Sequence, residues 1–105
     1  MVDEQMLVVA VEALADRFRS MPQSRLTGAV PGYASRAAAA HWLAAWLATR
    51  ALTLAGQAPR PFPAVGDFTV GDQLAVAGHE LAAVTDAATL AEALAETARI
   101  SDLTA

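Results

Sequence analysis

His79 and Glu80 open the pattern His-Glu-x-x-His, in which two imidazoles one helical turn apart hold zinc and the glutamate serves as base. Position 83 is Ala83, so the second imidazole is missing. His41 falls on a different predicted helix, no third ligand stands at a recognisable spacing, and no metal site is expected. Of the serines, Ser20, Ser24, Ser35 and Ser101, none sits in a Gly-x-Ser-x-Gly turn, and Ser35 is better placed to cap a helix. Asp72 and His79 share a helix face, but their spacing amounts to about 10 Å of rise, too far for the carboxylate to orient the ring. The chain has no cysteine, which removes thiolate ligands, thiol nucleophiles and disulfides. No catalytic constellation and no cofactor motif follows from these residues, so an enzyme is the less favoured reading.

Binding chemistry has more to work with. Arg25 and Arg36 flank the loop from Gly28 to Ser35, Gly-Ala-Val-Pro-Gly-Tyr-Ala-Ser, which lacks the lysine and glycine spacing of a P-loop. The next helix begins there, and its backbone N–H groups with two guanidiniums would suit a small carboxylate or phosphate. Arg50 lies close to the apolar stripe of Leu43, Leu47 and Leu54. A charge in that position is expected to pair with a carboxylate from the first or third long helix, or to floor a polar pocket. Trp42 and Trp46 stand one turn apart, suited to core filling, an inter-subunit contact, or a stacking wall for a planar ligand. The candidate ligand residues are therefore Arg25, Tyr33, Arg36, Trp42, Trp46 and Arg50, centred on Arg36, Trp46 and Arg50.

These residues need elements to position them, and the chain reads as helix throughout. Alanine is about half of a 55% apolar fraction, and β-branched runs are few. Leu7, Val11, Leu14, Phe18 and Met21 recur at helical spacing, with Asp3 as N-cap and Pro22 as stop. Ser35 caps a second helix, apolar nearly all round, which Gly56 ends. Its far side, Ala45, Ala48 and Leu52, makes a second smooth apolar face. A third helix follows Thr69, with Thr69 and Asp72 as a capping-box pair, and carries Gly71 and Gly78 where a neighbour (the second helix, by this reading) approaches closely. Thr85 and Asp86, read as a turn and an N-cap, lead the chain into a fourth helix, antiparallel to the third, and Ser101 to Ala105 are expected to fray. The fold expected is all-α, a four-helix bundle with helices near 3–21, 35–55, 70–84 and 86–99. It includes a long 22–34 loop and a Pro-rich 57–68 crossover, with the second helix most enclosed.

The 105 residues suit a single helical domain, 1–105. A net charge of −4, with seven arginines, no lysine and eleven carboxylates, offers no cationic footprint for nucleic acid. The acidic start Met-Val-Asp-Glu is no secretory leader, and His41 and Arg50 interrupt the only apolar stretch long enough to span a bilayer, so a cytoplasmic protein without membrane contact is expected. The lysine-free, alanine- and arginine-rich usage fits a high-GC bacterial coding bias. Four short helices have difficulty covering both faces of so apolar a second helix. The functional expectation is therefore protein–protein interaction, as a homodimer or a subunit of a complex; the alternative is a bundle that binds a small molecule or an anion, an enzyme among its readings, with a site near Arg36, Trp46 and Arg50.

Overall fold

Capping chemistry sets the helix starts. Asp3 Oδ1 accepts from the Met6 N–H at 3.1 Å, Ser35 Oγ from Ala38 at 3.0 Å, and Asp86 Oδ1 from Thr89 at 2.8 Å. Each carboxylate or hydroxyl satisfies a donor that the first turn leaves open. The computed structural model describes residues 2–105 and contains α1 (Glu4–Arg19), the single-turn α2 (Gln23–Leu26), α3 (Arg36–Leu54), a 3-10 turn (Asp67–Thr69), α4 (Val70–Val84) and α5 (Ala87–Leu103). Among the described residues there is no strand, only an isolated antiparallel bridge between Val30 and Tyr33. Gly56, at φ 74°, ends α3: its N–H reaches the Thr53 carbonyl and that of Gln57 reaches Leu52. That pair of bonds is the left-handed helix stop that glycine takes without strain.

The start of α4 differs from the expected capping box. Thr69 is itself helical, at φ −96° and ψ −6°, because the 3-10 turn runs directly into α4. An N-cap needs extended backbone. The Thr69 hydroxyl instead donates back to the Gly66 carbonyl at 2.7 Å, and Asp72 accepts from Arg19 Nε at 2.9 Å.

Four long helices make the bundle, and its radius of gyration of 13.0 Å fits a compact chain of about 100 residues. The helix α4 packs extensively on both α1 and α3, and α5 packs on the same two helices. The α1–α4 pair is antiparallel: Gly71 meets Ala15 and Arg19, and Gly78 meets Val11. The α3–α4 pair is parallel, since residues 35–41 face 66–73 at one end and 48–52 face 76–80 at the other. Joining parallel neighbours requires a crossover. Residues 55–66, at about 3.1 Å each when extended by proline, are long enough to run back along a helix of about 28 Å.

Several long-range expectations are corrected here. The neighbour of Gly71 and Gly78 is α1, not α3: a methyl on Gly78 would lie 2.6 Å from Val11 Cγ1, and one on Gly71 2.8 Å from the Ala15 carbonyl oxygen. The tryptophans of α3 point to the opposite flank, toward α5 (below), so they are not what the glycines accommodate. The most enclosed helix is α4, with seven of its 15 residues buried against seven of 19 in α3. Helices α4 and α5 make no extended contact with each other, so they are not a hairpin. Thr85 and Asp86 are both extended (ψ 144° and 173°), and no left-handed residue folds α5 back on α4. Finally, α5 continues to Leu103, and Thr104 is fully buried, so the end of the chain is held rather than frayed.

Candidate functional site

The flank of α3 that faces α5 carries a continuous set of aromatic rings and guanidiniums. Arg99 on α5 donates through Nη2 to the Tyr33 hydroxyl at 3.0 Å and through Nε to Glu96 at 2.9 Å. Its guanidinium carbon sits 5.1 Å from the Trp42 ring centre and 5.9 Å from that of Tyr33, within cation–π range of both. The two rings are 6.1 Å apart and tilted at 57°. Donation to Tyr33, and then to Glu96, holds the Arg99 guanidinium above its ordinary pKa. One turn along α3, Arg50 lies 4.9 Å over the Trp46 ring and pairs with Glu92 of α5 at 3.4 Å. Trp42, Ala45, Trp46, Thr49 and Arg50 line a shallow depression of about 290 Å³.

Arg50 therefore departs from the expected arrangement. Its side chain is 42% exposed, and its partner comes from α5 rather than from α1 or α4. The guanidinium lies over the indole and against Glu92 with part of it in water, so the stripe of Leu43, Leu47 and Leu54 is not interrupted by a buried ion.

Arg25 and Arg36 stand elsewhere. Arg36 Nε donates to the Thr104 carbonyl and Nη1 to the Arg25 carbonyl, each at 3.3 Å. Arg17, from α1, donates to the Ser101 carbonyl at 2.9 Å and to the Thr104 hydroxyl at 2.6 Å. Two arginines thus close the carbonyl end of α5, where cations are favoured. Burial, followed by the charges of Arg25 and Arg36, pushes the Arg17 guanidinium below its ordinary pKa, with Asp102 opposing. At the start of α3 the Arg36 N–H is taken by the Gly28 carbonyl at 2.9 Å and that of Ala38 by Ser35. Two of the first-turn N–H groups expected to hold an anion, and the Nε and Nη1 of Arg36, are thus taken by the protein itself. Arg36 is also separated from Arg50 by about 21 Å of helix rise. The candidate residues accordingly fall into two places: Arg25 and Arg36 at the α5 terminus, and Tyr33, Trp42, Trp46 and Arg50 on the α3–α5 flank.

A groove that the residue types did not announce lies on the other side of α3. Ala48 and Leu52 on α3, Val76 and Ala77 on α4, and Phe62 and Val65 on the crossover line about 480 Å³. The crossover is fastened at Pro63, whose carbonyl accepts from Gln73 Nε2 at 2.8 Å and from His41 Nε2 at 3.2 Å. That bond requires the proton on Nε2 of His41, because a carbonyl can only accept. The Phe62 ring sits 5.3 Å from the His41 ring. Of the second apolar face expected on α3, Ala48 and Leu52 line this groove while Ala45 lines the tryptophan depression; Arg99 and the proline wall had no signal of their own, since both depend on which segments meet.

His79 is likewise accounted for by packing. Its Nε2 lies 2.8 Å from Glu12 Oε1 on α1, in a surface network where Arg19 reaches Glu12 (3.8 Å), Asp16 (2.8 Å) and Asp72 (2.9 Å). Among the described residues no three histidines or carboxylates cluster closely enough to hold a metal, and no helix is long and apolar enough to cross a membrane. No protein-family model, curated protein or solved structure matches the chain.

Proposed function

We propose that this is a cytoplasmic protein that acts through protein–protein contact, as a homodimer joined across the α3–α5 flank. The observation that carries the reading is the composition of that flank. Trp42, Trp46, Tyr33, Arg50 and Arg99 lie together, and Trp42 is 37% exposed although it is among the costliest side chains to leave in water. Tryptophan, tyrosine and arginine are the residues that dominate binding energy at interfaces. The same flank carries Glu92 and Glu96 beside its two arginines, so its charges complement a second copy of itself. A two-fold interface requires a self-complementary patch of this kind. Membership in a larger complex would use the same flank with a different partner.

Light scattering coupled to gel filtration at micromolar to submillimolar concentration tests the reading. The wild-type protein is expected to elute with twice the chain mass, and Trp42→Glu, a change at a partly exposed position, as a monomer with unaltered helical circular dichroism. A wild-type monomer across that range overturns the homodimer. A Trp42→Glu dimer of undiminished affinity removes this flank as its interface.

A further inference from the structure

The groove between α3 and α4 has the size, lining and charge of a small-molecule site, and we infer that it binds a cationic amphiphile, an apolar body with an ammonium or amidinium head. Its volume of about 480 Å³ falls within the ordinary range for small ligands and is too small for a partner helix. Leu52, Phe62, Val65, Val76 and the alanines of α3 and α4 provide the apolar walls, and Val65 and Val76 remain 59% and 58% exposed. The crossover wall is preformed. Its prolines restrict the backbone, and the Pro63 carbonyl is tied to both helices through His41 and Gln73. A ligand entering here does not have to order the site first, which reduces the cost of binding.

Charge selects the head group. The lining includes Asp72 and Glu80 on α4 and Arg60 on the crossover. Asp72 is bonded to Arg19, but that single guanidinium also serves Glu12 and Asp16 of α1, so the Asp72 charge is only partly offset. Glu80 makes no ion pair or hydrogen bond with its side chain among the described residues. It is the natural seat for a cation; Arg60, whose side chain is equally unpartnered among the described residues, is outnumbered by the two lining carboxylates and is a repulsive neighbour whose loss improves binding. This inference does not rest on the dimer: the groove and the tryptophan depression share only Thr49 at their edges.

Octylammonium, octanol and octanoate, titrated into the wild-type protein and followed by amide chemical shifts and calorimetry, separate the contributions. Octylammonium is expected to bind two- to fivefold more tightly than octanol, the range for a partly exposed ion pair, and octanoate more weakly than either. The shifts should centre on Leu52, Val76 and Glu80. Glu80→Gln should abolish the preference for the amine while octanol binding persists, and Arg60→Gln should increase amine affinity. Val76→Trp, a change at an exposed position that fills the groove, should remove binding of all three. Equal or tighter octanoate binding, shifts centred on the Trp42–Arg50 flank, or no saturable binding by any of the three would overturn the inference.

Discussion

Replacing Gly78 with alanine sets two known effects against each other. Alanine is the better helix former by about 1 kcal/mol, and at an uncrowded site in α4 the change would stabilise. The added methyl, however, would stand 2.6 Å from Val11 Cγ1, 2.9 Å from its Cβ and 3.1 Å from its Cγ2. Turning the valine about χ1 moves the two γ carbons but leaves Cβ in place, so side-chain rotation alone cannot clear the contact. The backbones of α1 and α4 must separate by about half an ångström to restore an ordinary distance. Overpacking of this kind costs about 1–3 kcal/mol, and an interface between two backbones, with no flexible tip to yield, belongs in the upper part of that range. After the propensity gain, Gly78→Ala should destabilise by about 1–2 kcal/mol, or about 5–15 °C in Tm for a domain of this size. Thermal and urea unfolding measure it. Val11→Ala removes the γ carbons and should make Gly78→Ala less damaging in the double variant than in the wild type, although Val11→Ala itself destabilises. A Gly78→Ala protein at or above the wild-type Tm would refute the close α1–α4 packing.

Two other expectations concern the helix ends. Thr104→Val deletes the fully buried hydroxyl that accepts from Arg17 and donates to the Ile100 carbonyl; it should cost about 1–3 kcal/mol and speed amide exchange in the last turn of α5, measurable by NMR. Asp86 has a folded-state pKa below its ordinary value because the Thr89 backbone N–H, and then the Thr89 hydroxyl, hydrogen-bond its carboxylate. Its stabilising effect is present above pH about 4 and is lost as pH falls through the lowered folded value, so Asp86→Asn, which still caps, should show a smaller fall in Tm from pH 5 to 3 than the wild type.

What could be read along the chain was what neighbours in sequence decide. Asp3, Ser35 and Asp86 cap the helices expected of them, and Gly56 stops α3, because each acts on backbone groups within three or four residues. Thr69 misled because the residue types of Thr-x-x-Asp fit a capping box while the preceding 3-10 turn leaves Thr69 helical, and Arg19, from a distant helix, takes Asp72. The glycines of α4 announced a close approach without naming the partner, since α1 and α3 both offer apolar stripes. Residues 101–105 looked free because Arg17 and Arg36, which hold them, are 65 or more positions away. Among the candidate residues, Trp42, Trp46, Tyr33 and Arg50 converge, but Arg99, which joins two of them, became visible only once α5 was placed.

The glycine-lined seam between α1 and α4 also bears on how the chain is made. Glu12 and His79, which face each other across it, are 67 residues apart. At a synthesis rate of about 5–20 residues per second, α1 leaves the ribosome about 3–13 seconds before its partner exists. For that interval Leu7, Val11, Leu14 and Phe18, all buried in the finished fold, have no helix to lie against. Helices α3 and α4 can meet around the crossover as soon as both are made, offering the waiting α1 a surface already bearing Gly71 and Gly78. The order of assembly follows from the seam: α1, synthesised before α4, is committed only after it, and until then its apolar stripe has no partner on the growing chain.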